Sequence, residues 1–360
     1  MTTSGPAATD RPPLPPGVRE GTVVLDRIQL HYLETGPEDG DPVVLVHGNL
    51  STSRFWEHLM PALAERHRVI APDMRGFGDS QAVPLDATGG LRDWAEDIRT
   101  VLEWLDVTRP PHLVGWSTGG AAIAHYAMAH PVASLAFVDP VSPYGYGGTH
   151  PDGRPCFDDF AGSGGGGINP AVVEAIEAGD TSADNPFAPR SMFRTFYVAP
   201  SYTERPERED LLVAEILKTS TGPDNYPGDS AASPNWPGFA PGERGILNAL
   251  SPKYCNWTGI LDLDPKPPVL WTHGAADLVI ADGSPLEAGV LGAAGQIPGW
   301  PGAAVYPQQP MVSQIREVLG RYRAAGGSVR SEMFPESGHA PFLDAADKWL
   351  EVYQDFLSRS

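Results

Sequence analysis

Val114-Gly115-Trp116-Ser117-Thr118-Gly119-Gly120 is the stretch on which the fold turns. Before it, Pro111-His112-Leu113-Val114 reads as a short buried strand, and after it Ala121 to His130 reads as an alanine-rich helix. A Gly-x-Ser-x-Gly between strand and helix makes a turn so sharp that its serine sits in strained backbone, lifted clear of both elements. Gly115 and Gly119 are needed on steric grounds, because side chains there would collide where strand and helix cross. Five residues alone also fit a glycine-rich turn with an idle serine, so the flanking chain has to decide.

Upstream, Val43-Val44-Leu45-Val46 is continuously apolar, as a strand buried on both faces requires. It ends in His47-Gly48-Asn49-Leu50. The spacing of Phe55, Leu59 and Leu63 predicts a helix over 53–66. Arg68 to Asp73 is the next strand and leads into Met74-Arg75-Gly76-Phe77-Gly78-Asp79-Ser80. Residues 91–105 carry Leu91, Trp94, Ile98, Val101, Leu102 and Leu105 at helical spacing. Residues 22–26 and 28–34 alternate as strands of an edge hairpin do, and Ser134 to Asp139 reads as another buried strand. Strand and helix in alternation imply an α/β fold: an open, mostly parallel sheet with helices on both faces.

At Pro140 the rhythm breaks. Residues 140–266 show no buried strand, only short helices among glycine and proline loops: Asn169-Pro170 to Gly179, with N-cap, proline at the first turn and glycine stop, then 190–198 and 208–219. The sheet resumes at 268–273, followed by Gly274-Ala275-Ala276-Asp277. An apolar, glycine-rich passage (286–312), a helix (311–325), a last strand (328–334), the loop Ser337-Gly338-His339-Ala340 and a closing helix (345–357) complete the chain. The expected organisation is a disordered tail (1–21), a core formed by 22–140 and 267–360, and an inserted, mainly helical cap (141–266).

Composition narrows the class. The 360 residues are 41% hydrophobic, enough for a large core, and 40 glycines and 38 prolines point to long ordered loops. A formal charge of −20 disfavours nucleic acid and anionic membranes as partners. Two cysteines, Cys156 and Cys255, are too few for a disulfide framework. No apolar run spans a bilayer, and the polar, proline-rich first 21 residues lack the apolar core of a signal peptide, so a cytoplasmic location is expected. No His-x-x-x-His helix or Cys-x-x-Cys pair supports a metal site, and no cofactor is expected.

A serine hydroxyl needs a base to take its proton; histidine suits that role, and a carboxylate fixes its tautomer. Such groups gather at the carboxyl ends of the strands in a doubly wound sheet. Ser117, Asp277 and His339 each follow a predicted strand there, in the order associated with this turn. Together with His47-Gly48-Asn49, the 73–80 turn and Gly338-His339, they make the chain resemble the α/β-hydrolase family, in its cap-bearing serine hydrolase branch. The resemblance runs over nearly all of 22–360, the cap carrying least of it. It implies an eight-stranded sheet, Ser117 as nucleophile, His339 as general base and Asp277 as orienting carboxylate. It also implies an oxyanion hole from the backbone N–H groups of Asn49 and Thr118.

Asp139, at the end of the strand after the turn, is the alternative acid, since some family members place it there; a strand-end Asp before proline is otherwise a turn cap. Leu50 and Trp116 are candidate pocket residues. His47, His273, Arg75 and Asp79 read as structural. Gly162 to Gly167 contains a G-x-G-x-x-G but follows no buried strand, so it reads as a mobile lid loop rather than a dinucleotide site.

Serine at the nucleophile position disfavours dehalogenation and epoxide opening, for which relatives of this fold use aspartate. The expected reaction is hydrolysis of a mid-sized, largely apolar ester or lactone through an acyl-serine, the aromatic cap (Phe157, Phe160, Phe187, Phe193, Phe196, Tyr197, Trp236) supplying a hydrophobic pocket. Alternatives are a C–C bond or amide hydrolase with the same triad, and a ligand-sensing pseudoenzyme. The partner is a small-molecule substrate; the 286–312 passage either packs on the cap or joins a homo-oligomer.

Overall fold

The computed structural model describes residues 12–360. One sheet of eight strands organises them: β1 (Arg19–Leu25), β2 (Ile28–Thr35), β3 (Asp41–Val46), β4 (His67–Pro72), β5 (His112–Trp116), β6 (Ser134–Val138), β7 (Val269–Gly274) and β8 (Val329–Phe334). Their spatial order is β1-β2-β4-β3-β5-β6-β7-β8. Only β2 runs antiparallel to its neighbours; every pair from β4 to β8 is parallel. The central strands β5, β6 and β7 are buried along their whole length, which is why they read as unbroken apolar runs. The principal helices are α1 (Arg92–Trp104), α2 (Thr118–Ala129), α3 (Pro170–Glu177), α4 (Pro206–Ile216), α5 (Met311–Ala324) and α6 (Ala346–Leu357).

Strand register places the chemistry. Val46 pairs with Gly115, Trp116 with Val138, Val138 with Thr272, and Gly274 with Phe334. The residues just beyond those pairs, from His47, Ser117, Asp139 and Ala275 onward, therefore leave the sheet along a single carboxyl edge. The turn after β5 is close to a steric limit. A Cβ on Gly115 would lie 2.3 Å from Gly119 O, and one on Gly119 2.6 Å from both His47 O and Val46 O. These approaches are the crossing the sequence predicts.

Several elements differ from expectation. Strand β1 opens at Arg19, inside the segment expected as tail, while residues 1–11 lie outside the described residues. The helix expected over 53–66 is two short pieces, a 3-10 turn (Ser53–Phe55) and one α turn (Met60–Leu63). Asp73 pins the first piece by accepting the Ser53 N–H at 2.7 Å, and Pro61 restarts the second. The segment 190–198 is one α turn (Pro189–Met192) running into a π-turn (Phe193–Tyr197). Between β6 and β7 there are also two miniature sheets, Thr221–Gly222 with Tyr226–Pro227 and Ser230–Ala232 with Phe239–Pro241.

Gly162 to Gly167 is packed rather than a free lid. A Cβ at Gly164 would meet Asn248 Oδ1 at 2.4 Å and one at Gly165 the Asp229 carbonyl at 2.7 Å. Asn248 also accepts the Gly165 N–H at 2.9 Å and the Gly242 N–H at 3.1 Å. The 286–312 passage is tied to the rest of the chain by Trp236, which donates to Pro298 O, and Gln309, which donates to Gly145 O, while Leu286 and Val305 stay exposed.

Two glycine substitutions separate steric need from chance. Gly119→Ala must move backbone and is expected to cost about 3 kcal/mol or prevent folding. Gly320→Ala, within α5 and with open space around it, is expected to stabilise by about 0.5–1 kcal/mol. Urea unfolding measures both, and equal effects would contradict the crossing.

Candidate active site

Ser117 holds φ 54 and ψ −115, a conformation that is strained for a non-glycine residue. Its N–H donates to Val138 O at 2.9 Å, and its carbonyl accepts from the Gly120 and Val141 N–H groups. Neighbouring strand and helix thus hold the turn from both sides. Ser117 is the N-cap of α2 and Thr118 its first residue, so the Thr118 N–H has no acceptor within the helix and the positive end of the helix dipole faces the serine. Across from it, a Cβ on Gly48 would sit 3.1 Å from Ser117 Cβ. Glycine there lets the His47-Gly48-Asn49 loop close on the Ser117 turn.

His47 has the structural place expected of it. Its Nε2 accepts the Met74 N–H at 3.0 Å, leaving the proton on Nδ1, which faces Gly48 O at 2.7 Å. Burial lowers its pKa to about 4, so the ring is neutral and ties two loops of the edge together.

His339 and Asp277 meet directly, as the sequence predicts: His339 Nδ1 lies 2.8 Å from Asp277 Oδ2. The other Asp277 oxygen accepts the Val279 and Ile280 N–H groups at 2.7 and 3.1 Å. Burial alone would raise the Asp277 pKa, but His339, His273 and the Val279 N–H together hold it below its ordinary value. With Nδ1–H committed to the carboxylate, Nε2 of a neutral His339 carries the lone pair. Asp139 is fully buried and accepts the Gly274 N–H at 2.8 Å; the imidazole bonds Asp277, not the alternative acid.

The His339 loop is held by groups that the sequence did not single out. Asp344 accepts the Gly338 N–H at 2.8 Å and the Ser337 hydroxyl, and also the Ala199 N–H of the insertion at 2.8 Å. Tyr197, read only as a pocket aromatic, sits on the π-turn and donates to the carbonyls of Asn49 and Leu50, each at 3.0 Å. Nothing in the local sequence marks the Tyr197 role or the Asp344 bond to Ala199, because both are contacts between segments far apart in the chain.

Trp116 is buried, and its indole N–H donates to His339 O at 2.7 Å. It packs against Phe55, Tyr197, Phe342 and His339. Leu50, at φ 49, is also buried. Of the expected pocket aromatics, Phe193 packs on Tyr197, whereas Phe157 and Trp236 gather around Tyr306. Ser117 is 6% exposed and His339 2%, so little of either reaches solvent. A separate cavity of about 460 Å³ is lined by Arg190, Phe193, Val198, Tyr202 and Glu209.

Arg75 and Asp79 are structural as expected: Arg75 binds Asp97 through two 2.7 Å contacts, and Asp79 meets Lys218 at 3.0 Å. Two clusters have cation-binding composition, His31-Asp73-Asp79 and Asp139-His273-Asp277. In the first, Asp73 is already engaged by His31 and the N–H groups of Ser53 and Asp79. In the second, Asp277 serves His339. No helix among the described residues is long and apolar enough to cross a membrane.

Residues 41–159 match a family model described as alpha/beta hydrolase fold. The chain is 39% identical over 149 residues to a non-heme chloroperoxidase of Streptomyces lividans, a match covering 39% of this chain and 52% of that protein. It is 36% identical over 110 residues to the cis-3-alkyl-4-alkyloxetan-2-one decarboxylase of Xanthomonas campestris pv. campestris, covering 29% and 36%. The chain spans about half or less of the length of the curated relatives it matches. Among solved structures, an esterase from Rhodococcus sp. ECU1013 superposes with TM-score 0.57 at 21% identity, covering 95% of this chain and 98% of that one. A likeness at that identity is one of fold.

Two measurements check the site's supports. Tyr197→Phe removes one donor from two carbonyls and is expected to cost about 1 kcal/mol, with faster amide exchange confined to residues 48–52 and 196–199. His47 should stay neutral in an NMR titration down to about pH 4. Because its folded pKa lies below the unfolded value, its share of stability is present above about pH 6.5 and is lost as pH falls toward 4.

Proposed function

We propose that this chain, which belongs by fold to the α/β-hydrolase family, is a serine hydrolase that cleaves a mid-sized, largely apolar carboxylic ester or lactone. One observation carries the reading: His339 is bonded to Asp277 at 2.8 Å on the same edge at which Ser117 stands in a strained, rigidly held turn. In this reading Ser117 Oγ attacks the acyl carbon while His339 Nε2 takes its proton, and Asp277 stabilises the imidazolium. The tetrahedral oxyanion lies against the N–H groups of Thr118 and Asn49, donors worth about 3–4 kcal/mol each in the transition state. Collapse expels the alkoxide, which leaves with the proton from His339. Water, deprotonated by the same imidazole, then attacks the acyl-serine, releasing acid and free Ser117.

The surroundings support an apolar acyl or alcohol group. Phe55, Phe193, Tyr197 and Phe342 pack with one another around Trp116, the residue before Ser117, and an aromatic surrounding of this kind suits hydrocarbon rather than charge. A lactone substrate gains support from the Xanthomonas relative, whose name specifies an oxetan-2-one, a four-membered cyclic ester with two alkyl substituents. Because Ser117 is almost fully covered, entry requires the insertion to move. The cavity at Arg190 to Glu209 is the approach this reading favours, because Val198 on its wall also abuts Gly338 in the His339 loop.

A p-nitrophenyl alkanoate series tests the reading. Activity should rise from acetyl to medium chains, and Ser117→Ala should lower it by about 10³-fold or more. A fluorophosphonate should label Ser117 stoichiometrically by mass spectrometry. Turnover unchanged in Ser117→Ala, or restricted to short charged esters, would overturn it.

A further inference from the structure

We propose that Asp139 is a neutral carboxylic acid that donates a hydrogen bond to Asp277 and acts as a positioning residue, limiting how strongly that carboxylate holds a proton on His339. The proposal rests on the hydrolase reading only for the role of His339.

Asp139 lies at the end of β6 with φ 43, on the same edge as Ser117, and is wholly buried. One oxygen, Oδ1, accepts the Gly274 N–H at 2.8 Å. The other, Oδ2, is buried without a conventional partner. A carboxylate oxygen of Asp277 and a ring nitrogen of His273 lie within 4.8 Å of Asp139 and of each other. His273 cannot supply the missing donor. Its Nε2–H goes to Ile280 O at 3.0 Å, so the neutral ring presents a lone pair at Nδ1, 3.5 Å from Asp139 Oδ1 and likewise unpartnered.

The carboxylate next door takes His339 on one oxygen and two backbone N–H groups on the other, which leaves a lone pair on Oδ2. The charged residues that act on Asp139 are Asp277 and, farther off, Asp344, both anionic, and burial and their charge outweigh the Gly274 N–H in raising its pKa well above the ordinary range. Two dry carboxylates this close do not both ionise. A single proton on Asp139 removes the like-charge contact and gives Oδ2 a use, its O–H pointing at Asp277.

The consequence falls on the base. An O–H donated to Asp277 draws negative charge from it, so the carboxylate holds the imidazolium of His339 less tightly. Without that donor the carboxylate grips the imidazolium harder, and His339 stays charged to higher pH.

Two readouts test this without any substrate. Infrared difference spectra of wild type against Asp139→Asn should show the C=O stretch of a neutral buried carboxylic acid, lost in the variant. An NMR titration of His339 should move to higher pH by about 0.5–1 pH unit in Asp139→Ala, and Asp139→Asn, which keeps an N–H donor, should restore most of it. No neutral-acid band, an imidazolium at His273 at neutral pH, or His339 titrations that superimpose would overturn the proposal. If Asp139→Ala does not fold, the spectra and the asparagine variant decide alone. Failure of fluorophosphonate to label wild-type Ser117 would count against the hydrolase reading and leave this result standing.

Discussion

The backbone crossing at Gly115 and Gly119 is the constraint on which the edge depends. Strand β5 and helix α2 approach so closely there that a Cβ at either glycine would overlap main-chain atoms. That closeness forces Ser117 into positive φ, and it brings the carbonyls of Val46 and His47 against the first turn of α2. The strain is sustained because the groups around it are already paired: Ser117 N–H with β6, and its carbonyl with the residues that follow. A looser crossing would relieve the serine and, in the same motion, withdraw the 47–49 loop from it. Register then aligns the remaining strand ends with this one, so side chains distant in sequence share one edge without needing any local motif of their own.

Polar pairing secures the edge in successive layers. His47 binds the loop after β4, Asp73 binds His31 and the turn at Ser53, and Arg75 clamps that loop onto α1 through Asp97. The bonds named here satisfy most of the buried polar atoms of these groups, as burial of polar atoms requires, although His31 Nε2 and Ser53 Oγ have no hydrogen-bond partner. In the cluster of Asp139, His273 and Asp277, matching requires a proton that heavy-atom positions do not show.

Much of this was legible beforehand. Buried strands announce themselves by unbroken apolar runs, and Val43 to Val46 and Val269 to Thr272 fall where those runs predict, while the strand read as Pro111 to Val114 continues through Gly115 to Trp116. The pairing of Asp277 with His339 follows from their place after strands. What the sequence could not convey are contacts between segments far apart: Tyr197 on the Asn49 and Leu50 carbonyls, and Asp344 joining Ala199 to the His339 loop. The helix over 53–66 failed for a related reason, since a tertiary bond from Asp73 to Ser53 competes with helical continuation. The glycine run at 162–167 resembled a flexible lid because composition records freedom in the unfolded chain, whereas here Asn248, Asp229 and Phe239 fill the space that side chains would need.

The Asp344 carboxylate makes the segment around Ala199 and the His339 loop one mechanical unit. It holds Ala199 of the insertion through the same oxygen that accepts Gly338, one residue before His339. A displacement that carries Ala199 outward would strip a donor from the carboxylate that fixes the Gly338-His339 loop, so the two segments cannot shift independently.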